Sequence, residues 1–124
     1  MTERPLVLVA DDDPDILALV RIRLQRSGYG VVCAHDGAEA LELARTRSLD
    51  LAILDVAMPG LSGLDVTRRL REEQPGLPVI LLTARAREID VAEGADAGAA
   101  AYFTKPFSPQ ELEQRVQATL AVHG

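Results

Sequence analysis

The chain has few of the features that mark exported or membrane-spanning proteins. Its 124 residues contain no tryptophan and a single cysteine, Cys33, so no internal disulfide can form and we expect the protein in the cytoplasm. The longest apolar runs, such as Leu6–Ala10, have about a quarter of the length that a bilayer span needs, which predicts no membrane insertion. We also expect no secretory signal, because Glu3 precedes that run and three aspartates follow it directly.

An excess of positive charge is missing as well. Thirteen lysines and arginines stand against nineteen aspartates and glutamates, which gives a net charge of −6. Because a segment of this charge is poorly suited to holding a phosphate backbone, we expect no direct binding to nucleic acid. With 48% hydrophobic and 26% charged residues the composition is that of an ordinary globular protein, and the length predicts one domain over residues 1–124.

Short apolar runs alternate with longer amphipathic segments five times along the chain. The runs are Leu6–Ala10, Val31–Ala34, Leu51–Leu54, Val79–Leu82 and Ala100–Phe103. Three of them are solid aliphatic, which is typical of strands buried on both faces of a parallel sheet. The alternation predicts an α/β fold, a doubly wound five-stranded parallel sheet with helices on both faces.

Helix-start signals open most of the intervening segments. The candidate caps and their partners are Asp13 with Pro14, Asp36 with Glu39, Ser62 with Asp65, and Ser108 with Glu111. The predicted helix over Ala86–Ala97 is the least well defined, because it is rich in alanine and contains Gly94.

Chemically reactive side chains stand at the carboxyl ends of the predicted strands, where doubly wound sheets bind their ligands. They are Asp11, Asp12 and Asp13 after the first run, Asp55 after the third, Thr83 after the fourth and Lys105 after the fifth. Clustered carboxylates raise one another's pKa unless a cation joins them, and hard oxygen ligands in small number suit Mg²⁺. Lys105 is the only lysine among thirteen basic residues, which indicates a need for a compact ammonium facing an anion such as a phosphoryl group.

Together these residues resemble the receiver domain of bacterial two-component response regulators. The resemblance rests on Asp11-Asp12, on Asp55 through Gly60, on Thr83-Ala84, on Lys105-Pro106-Phe107 and on Tyr102 three residues before the lysine. It extends from about residue 5 to 122. It implies the flavodoxin-like fold of the chemotaxis member of this family, with strand order 2-1-3-4-5 and five helices.

The resemblance implies that Asp55 accepts a phosphoryl group from a sensor histidine kinase or a phosphotransfer protein. Asp11, Asp12, Asp55 and the backbone carbonyl of Ala57 would hold Mg²⁺. Lys105 would pair with Asp55 before transfer and with the phosphoryl oxygens afterwards.

The resemblance also implies a switch. Thr83 would move inward toward the phosphoryl group, and Tyr102 would enter the space that it leaves. The face formed by the fourth helix, the fifth strand and the fifth helix would thereby change and control an output domain or a partner protein. Such a protein is not a turnover enzyme on an external substrate, although it catalyses its own phosphorylation and dephosphorylation.

The chain departs from the family pattern at two places. Ala57 and Arg85, each two residues after a site residue, occupy positions that tune hydrolysis of the acyl phosphate in relatives. Ala100-Ala101 stands where relatives that dimerise on DNA commonly carry an acidic pair, so we expect a monomer or a weak phosphorylation-dependent dimer.

Other interpretations remain open on the sequence. Taken singly, Asp11–Asp13 could be a solvated helix start, Thr83 a helix cap and Lys105 a surface charge. The chain could also be an interaction module that keeps the receiver shape without using phosphate. A phosphatase of the haloacid-dehalogenase kind is a third candidate, with Asp11 and Asp13 at the required spacing but with Asp15 where Thr or Val is expected.

Overall fold

The structure is a computed structural model, and it describes residues 4–84 and 95–123. The elements with described bounds are β1 (Leu6–Ala10), α1 (Pro14–Arg26), β2 (Gly30–Ala34), α2 (Gly37–Thr46), β3 (Leu51–Asp55), α3 (Gly63–Glu73), β4 (Val79–Thr83), β5 (Ala101–Thr104) and the C-terminal helix, α4 (Pro109–His123). The predicted helix over Ala86–Ala97 lies mostly outside the described residues, and its described part, residues 95–97, is helical.

The five strands form one parallel sheet in the order β2-β1-β3-β4-β5, which confirms the expected doubly wound topology. Every residue of β3 and β4 is buried, as their solid aliphatic sequences predict for strands covered on both faces. The edge strands β2 and β5 are mostly half-buried.

Three strands end one residue later than predicted. β3 includes Asp55, β4 includes Thr83 and β5 includes Thr104. The reason is that the ladder continues past the last apolar residue, since Asp55 pairs with Leu82 and Thr83 pairs with Thr104. Asp55 and Thr83 therefore belong to strands of the sheet, whereas Asp11, Asp12 and Lys105 lie just beyond the strands that they follow.

Helices cover both faces of the sheet, and each face has its own apolar core. On one face α1 and the C-terminal helix pack through Leu17, Val20, Leu24, Leu112 and Val116. On the other face α2 and α3 pack through Ala40, Leu41, Ala44, Leu64 and Leu70. Among the described residues, no helix combines the length and the hydropathy needed to cross a membrane.

Side-chain caps fix where the helices begin. The four predicted caps accept a hydrogen bond from a backbone N–H two or three residues ahead: Asp13, Asp36, Ser62 and Ser108. Ser62 and Asp65 form the full reciprocal capping box. At α2 the box is incomplete, because the Glu39 carboxylate accepts the backbone N–H of His35, one residue before the Asp36 cap.

Candidate functional site

Three carboxylates converge at the carboxyl edge of the sheet. One oxygen each from Asp11, Asp12 and Asp55 lies within 4.8 Å of the others. Asp11 and Asp55 are buried, whereas Asp12 is exposed. Asp11 is held in line with the sheet because its backbone N–H donates to the carbonyl of Ala34, and its Oδ1 accepts the N–H of Asp13 at 2.9 Å.

The single lysine completes this cluster. Lys105 Nζ lies 2.7 Å from Asp11 Oδ2 and 3.4 Å from Asp55 Oδ2, and its side chain is only 18% exposed. Its backbone N–H donates to the carbonyl of Thr83 at 2.6 Å, just before the cis Lys105–Pro106 peptide bond. The ammonium is therefore a site residue rather than a surface charge, and it bridges two acids, with the shorter contact to Asp11.

Burial and neighbouring charges shift the pKa values of Asp55 and Lys105. Desolvation, with the charge of Asp11 as the second cause, raises the pKa of Asp55 to about 6, against the opposing effects of Lys105 and of the Ala57 N–H. Burial alone would lower the pKa of Lys105, but its hydrogen bond to Asp11 and the charges of Asp55 and Asp11 outweigh this and raise it. Burial is thus the first cause of the shift at Asp55 and opposes the shift at Lys105, whereas the negative charge of Asp11 raises the pKa of both groups.

The donor set fits a hard divalent cation. Three carboxylates against one ammonium leave net negative charge, and a pocket of about 450 Å³ opens beside them. Its lining residues are Asp12, Asp13, Asp55, Ala57, Ala84 and Lys105. Oxygen ligands on one side of an open pocket match Mg²⁺, which keeps several waters and accepts phosphate oxygens, better than a cation that needs full enclosure.

The two predicted switch residues lie on neighbouring strands. Thr83 is buried at the end of β4, one residue beyond the Leu82 that pairs with Asp55. Tyr102 lies on β5 opposite Leu81, half-buried against the core on the α2–α3 face. Arg85, the second position expected to tune hydrolysis, lies outside the described residues.

The alternatives for single residues have different outcomes. The helix that Thr83 could cap lies mostly outside the described residues, so that alternative stays open. Asp13 does cap α1, as the solvated helix start requires. Asp11 does not behave as a solvated residue, because it is fully buried and pairs with Lys105.

A residue that sequence reasoning missed packs directly against the backbone of Asp55. Gly63, the first residue of α3, is buried against the end of β3. A Cβ there would overlap the carbonyl oxygen of Asp55 and lie 2.8 Å from its carbonyl carbon. The Gly63 N–H also donates to the carbonyl of Val56 at 3.0 Å. The one available signal was a glycine directly after a helix cap, which is common and carries little information by itself.

Comparisons with known proteins agree with this geometry. Residues 7–117 match the family model of the response regulator receiver domain. The alkaline phosphatase synthesis transcriptional regulatory protein PhoP of Bacillus subtilis is 46% identical over 114 residues, which are 92% of this chain and 48% of that protein. The chain spans about half the length of the curated relatives it matches.

Solved structures give the same result. A CheY-like receiver domain protein from Methanospirillum hungatei superposes with a TM-score of 0.94 at 27% identity, covering 98% of this chain and 97% of that one. The response regulator protein TrrA from Thermotoga maritima, in complex with Mg²⁺-BeF, has a TM-score of 0.85 at 36% identity, covering 93% and 98%. The strand order, the acidic edge of the sheet and the family match lead to one conclusion: this chain belongs to the response regulator receiver domain family, whose members act in two-component systems.

Proposed function

We propose that this chain is a phosphorylation-dependent switch in which Asp55 accepts a phosphoryl group from a sensor histidine kinase or a phosphotransfer protein. Receiver domains are signalling switches rather than substrate-turnover enzymes. The observation that carries the proposal is the environment of Asp55: a buried carboxylate with an ammonium at 3.4 Å and two further carboxylates beside it.

Transfer begins with the ionised carboxylate. With a pKa of about 6, most Asp55 side chains are deprotonated at neutral pH and above. A carboxylate oxygen attacks the phosphorus of a phosphohistidine, the P–N bond breaks with its electron pair going to the imidazole, and that ring takes up a proton from solvent. Asp55 Oδ1 is held by the Ala57 N–H at 3.2 Å, so the acceptor does not have to be oriented during the reaction.

The acidic cluster around Asp55 would hold the metal ion. Asp11, Asp12, Asp55 and the backbone carbonyl of Ala57 would bind Mg²⁺, which when bound supplies positive charge opposite the phosphoryl oxygens. The complex of TrrA with Mg²⁺-BeF supports Mg²⁺ as the ion, because that protein is similar over 93% of this chain. Lys105 pairs with Asp55 before transfer and with the phosphoryl oxygens afterwards, keeping the negative charge of the pocket offset in both states.

The switch follows from the new charge on Asp55. The phosphoryl oxygens attract the Thr83 hydroxyl from the next strand, and Tyr102 on β5 moves into the space that Thr83 leaves. Changing such a two-state equilibrium from 1:99 to 99:1 requires about 5.5 kcal/mol of differential contact energy. The face that responds includes β5 and the C-terminal helix, and it controls an output domain or a partner protein. The fourth helix expected for this face, over residues 86–97, lies mostly outside the described residues.

The setting of the switch is part of the proposal. The protein works in the cytoplasm, without direct contact to nucleic acid or membrane, as a monomer or a weak phosphorylation-dependent dimer. It also accelerates its own phosphorylation by small donors and its own dephosphorylation.

Intact-mass spectrometry tests the proposal. With acetyl phosphate and Mg²⁺ the chain should gain one phosphoryl group, and the gain should disappear in Asp55→Asn and on chelation of the metal. Glu72→Gln, which neutralises an exposed carboxylate on α3, is the control and should be phosphorylated like the native chain. No phosphoryl gain in the native chain would favour an interaction module, whereas turnover of a generic phosphate ester would favour a phosphatase.

A further inference from the structure

We propose that Gly37 is a positioning residue for the magnesium site although it supplies no ligand. This inference rests on the proposed function. Gly37 is the first residue of α2 and is buried against the backbone of Leu61. A Cβ at position 37 would overlap the Leu61 carbonyl oxygen and would lie 2.7 Å from both the carbonyl carbon and the Cβ of Leu61. The helix and this backbone are therefore closer than any other amino acid would permit.

Leu61 belongs to the loop that carries the metal-facing backbone. This acceptor loop, residues 56–62, begins directly after Asp55 and includes Ala57, whose carbonyl is the proposed ligand and whose N–H holds Asp55 Oδ1. Its other attachments are the buried side chain of Met58, the closing hydrogen bond from Gly63 N to the Val56 carbonyl, and the Ser62 cap of α3. The close contact between Leu61 and Gly37 therefore packs this loop against the start of α2.

A side chain at position 37 would move the loop rather than the helix. α2 is fixed in the core by Ala40, Leu41 and Ala44, which are all buried. The acceptor loop is the softer partner, since Ala57, Pro59 and Gly60 are all exposed. The overlap is with backbone atoms, so no side-chain rotation relieves it. A displacement at Leu61 therefore reaches Ala57, four residues away along the same loop.

The other glycines make the effect specific. Gly63 is also too close to backbone for a Cβ, but its contact is the carbonyl of Asp55, so a substitution there would disturb the acceptor itself. Gly76, between α3 and β4, has no atom within 4 Å of an added Cβ. Gly76→Ala is therefore the matched control for Gly37→Ala.

The experiment is a Mg²⁺ titration of the metal-free protein, followed through the amide NMR signals of Asp12 and Ala57. We expect the dissociation constant to rise about tenfold or more in Gly37→Ala, the effect typical of lost support around a metal site. In Gly76→Ala it should stay within about twofold, as for a substitution in open space. A folded Gly37→Ala chain with native Mg²⁺ affinity would overturn the inference. Absence of any Mg²⁺-dependent shift in the native chain would instead overturn the proposed function together with it.

A second readout separates positioning from general destabilisation. With acetyl phosphate as donor, Gly37→Ala should need about tenfold more Mg²⁺ for half-maximal phosphorylation, while the rate at saturating Mg²⁺ returns toward the native value. A lowered unfolding temperature with unchanged Mg²⁺ requirement would show a merely structural role and refute the inference.

Should Gly37→Ala fail to fold, Leu61→Ala is the second variant. The half-buried Leu61 side chain packs against the core, so its removal should also displace the acceptor loop. The proposal predicts that Leu61→Ala weakens Mg²⁺ binding at least threefold. On a logarithmic scale this is about half of the tenfold effect expected for Gly37→Ala. Native affinity in Leu61→Ala would overturn it.

Discussion

The substitution Asp55→Asn, which replaces the carboxylate by a neutral amide of the same shape, should stabilise the metal-free protein. The gain in unfolding free energy should depend on pH. Burial and the charge of Asp11 raise the pKa of Asp55 from 3.8 to about 6. The folded state therefore binds this proton more tightly than the unfolded chain does. The stabilisation from proton binding is fully present below pH 3.8 and is lost as the pH rises through about 6. At pH 8 the native chain has to carry an ionised, poorly solvated carboxylate.

The magnitude follows from the size of the shift. A change of about two pKa units corresponds to about 3 kcal/mol. The Asp55 side chain lies at the wall of an open pocket, so solvent screening reduces this figure to about 1.5 kcal/mol. We expect Asp55→Asn to be more stable than the native chain by about 1.5 kcal/mol at pH 8, which is about 6 °C in Tm for a domain of this size. At pH 5 native Asp55 is mostly protonated, but the unfolded chain is already mostly ionised, so about half of the difference should remain. The two chains should become equal in stability only below about pH 3.8.

Thermal unfolding followed by circular dichroism at pH 5 and pH 8, with EDTA present, measures this difference. Asp96→Asn is the control for removal of an exposed carboxylate and should behave alike at both values. Added Mg²⁺ should stabilise the native chain and not Asp55→Asn, which reduces or reverses the gap at pH 8. A stability difference between native and Asp55→Asn chains that is the same at pH 5 and pH 8 would refute the reasoning.

Three further predictions concern the same pocket and its surroundings. Lys105→Met leaves the buried acids without their ammonium and should cost about 2 to 3 kcal/mol of unfolding free energy at pH 7.5 without metal. The cost should be smaller at pH 5. Urea unfolding that shows no loss of stability at either pH would contradict the ion pair. Ala57→Asn should speed phosphate loss by up to about tenfold, because an amide can hold an attacking water beside the exposed rim of the pocket where alanine cannot; equal decay rates of the two phosphorylated chains would remove this argument. With Ala100-Ala101 in place of an acidic pair, the phosphorylated chain should elute as a monomer in size-exclusion chromatography at low micromolar concentration, and a clean dimer peak would disprove this.

The central strands could be predicted because burial on both faces leaves a direct trace in the sequence. β3 and β4 have no exposed face, so their residues are almost all aliphatic. The ends of the strands could not be predicted from that trace. Backbone pairing continues through Asp55 and Thr83, whose polar side chains interrupt the pattern without interrupting the ladder. Strand β5 was displaced by one residue for a related reason, since an edge strand that is half-buried has a weaker apolar signal.

The members of the site could be predicted, but their distances could not. Parallel strands bring their carboxyl ends to one edge, so the acids and the lysine had to meet there. Which acid Lys105 contacts more closely depends on the rotamer of a long side chain. The structure places its ammonium nearer to Asp11 than to Asp55, a difference of less than 1 Å between 2.7 and 3.4 Å.

The supporting residues could not be found because their role depends on contacts between distant parts of the chain. Gly37 follows a helix cap, where many residue types are acceptable, and nothing near it in the sequence excludes a side chain. The exclusion comes from Leu61, which belongs to another loop and reaches Gly37 only in the folded sheet. Metal and phosphate ligands can be recognised in a sequence by the chemistry of their side chains. A glycine that allows two backbone segments to pack closely has no such side chain to recognise. If the inference holds, the proposed Mg²⁺ site depends on a residue whose only contribution is the space that it leaves free.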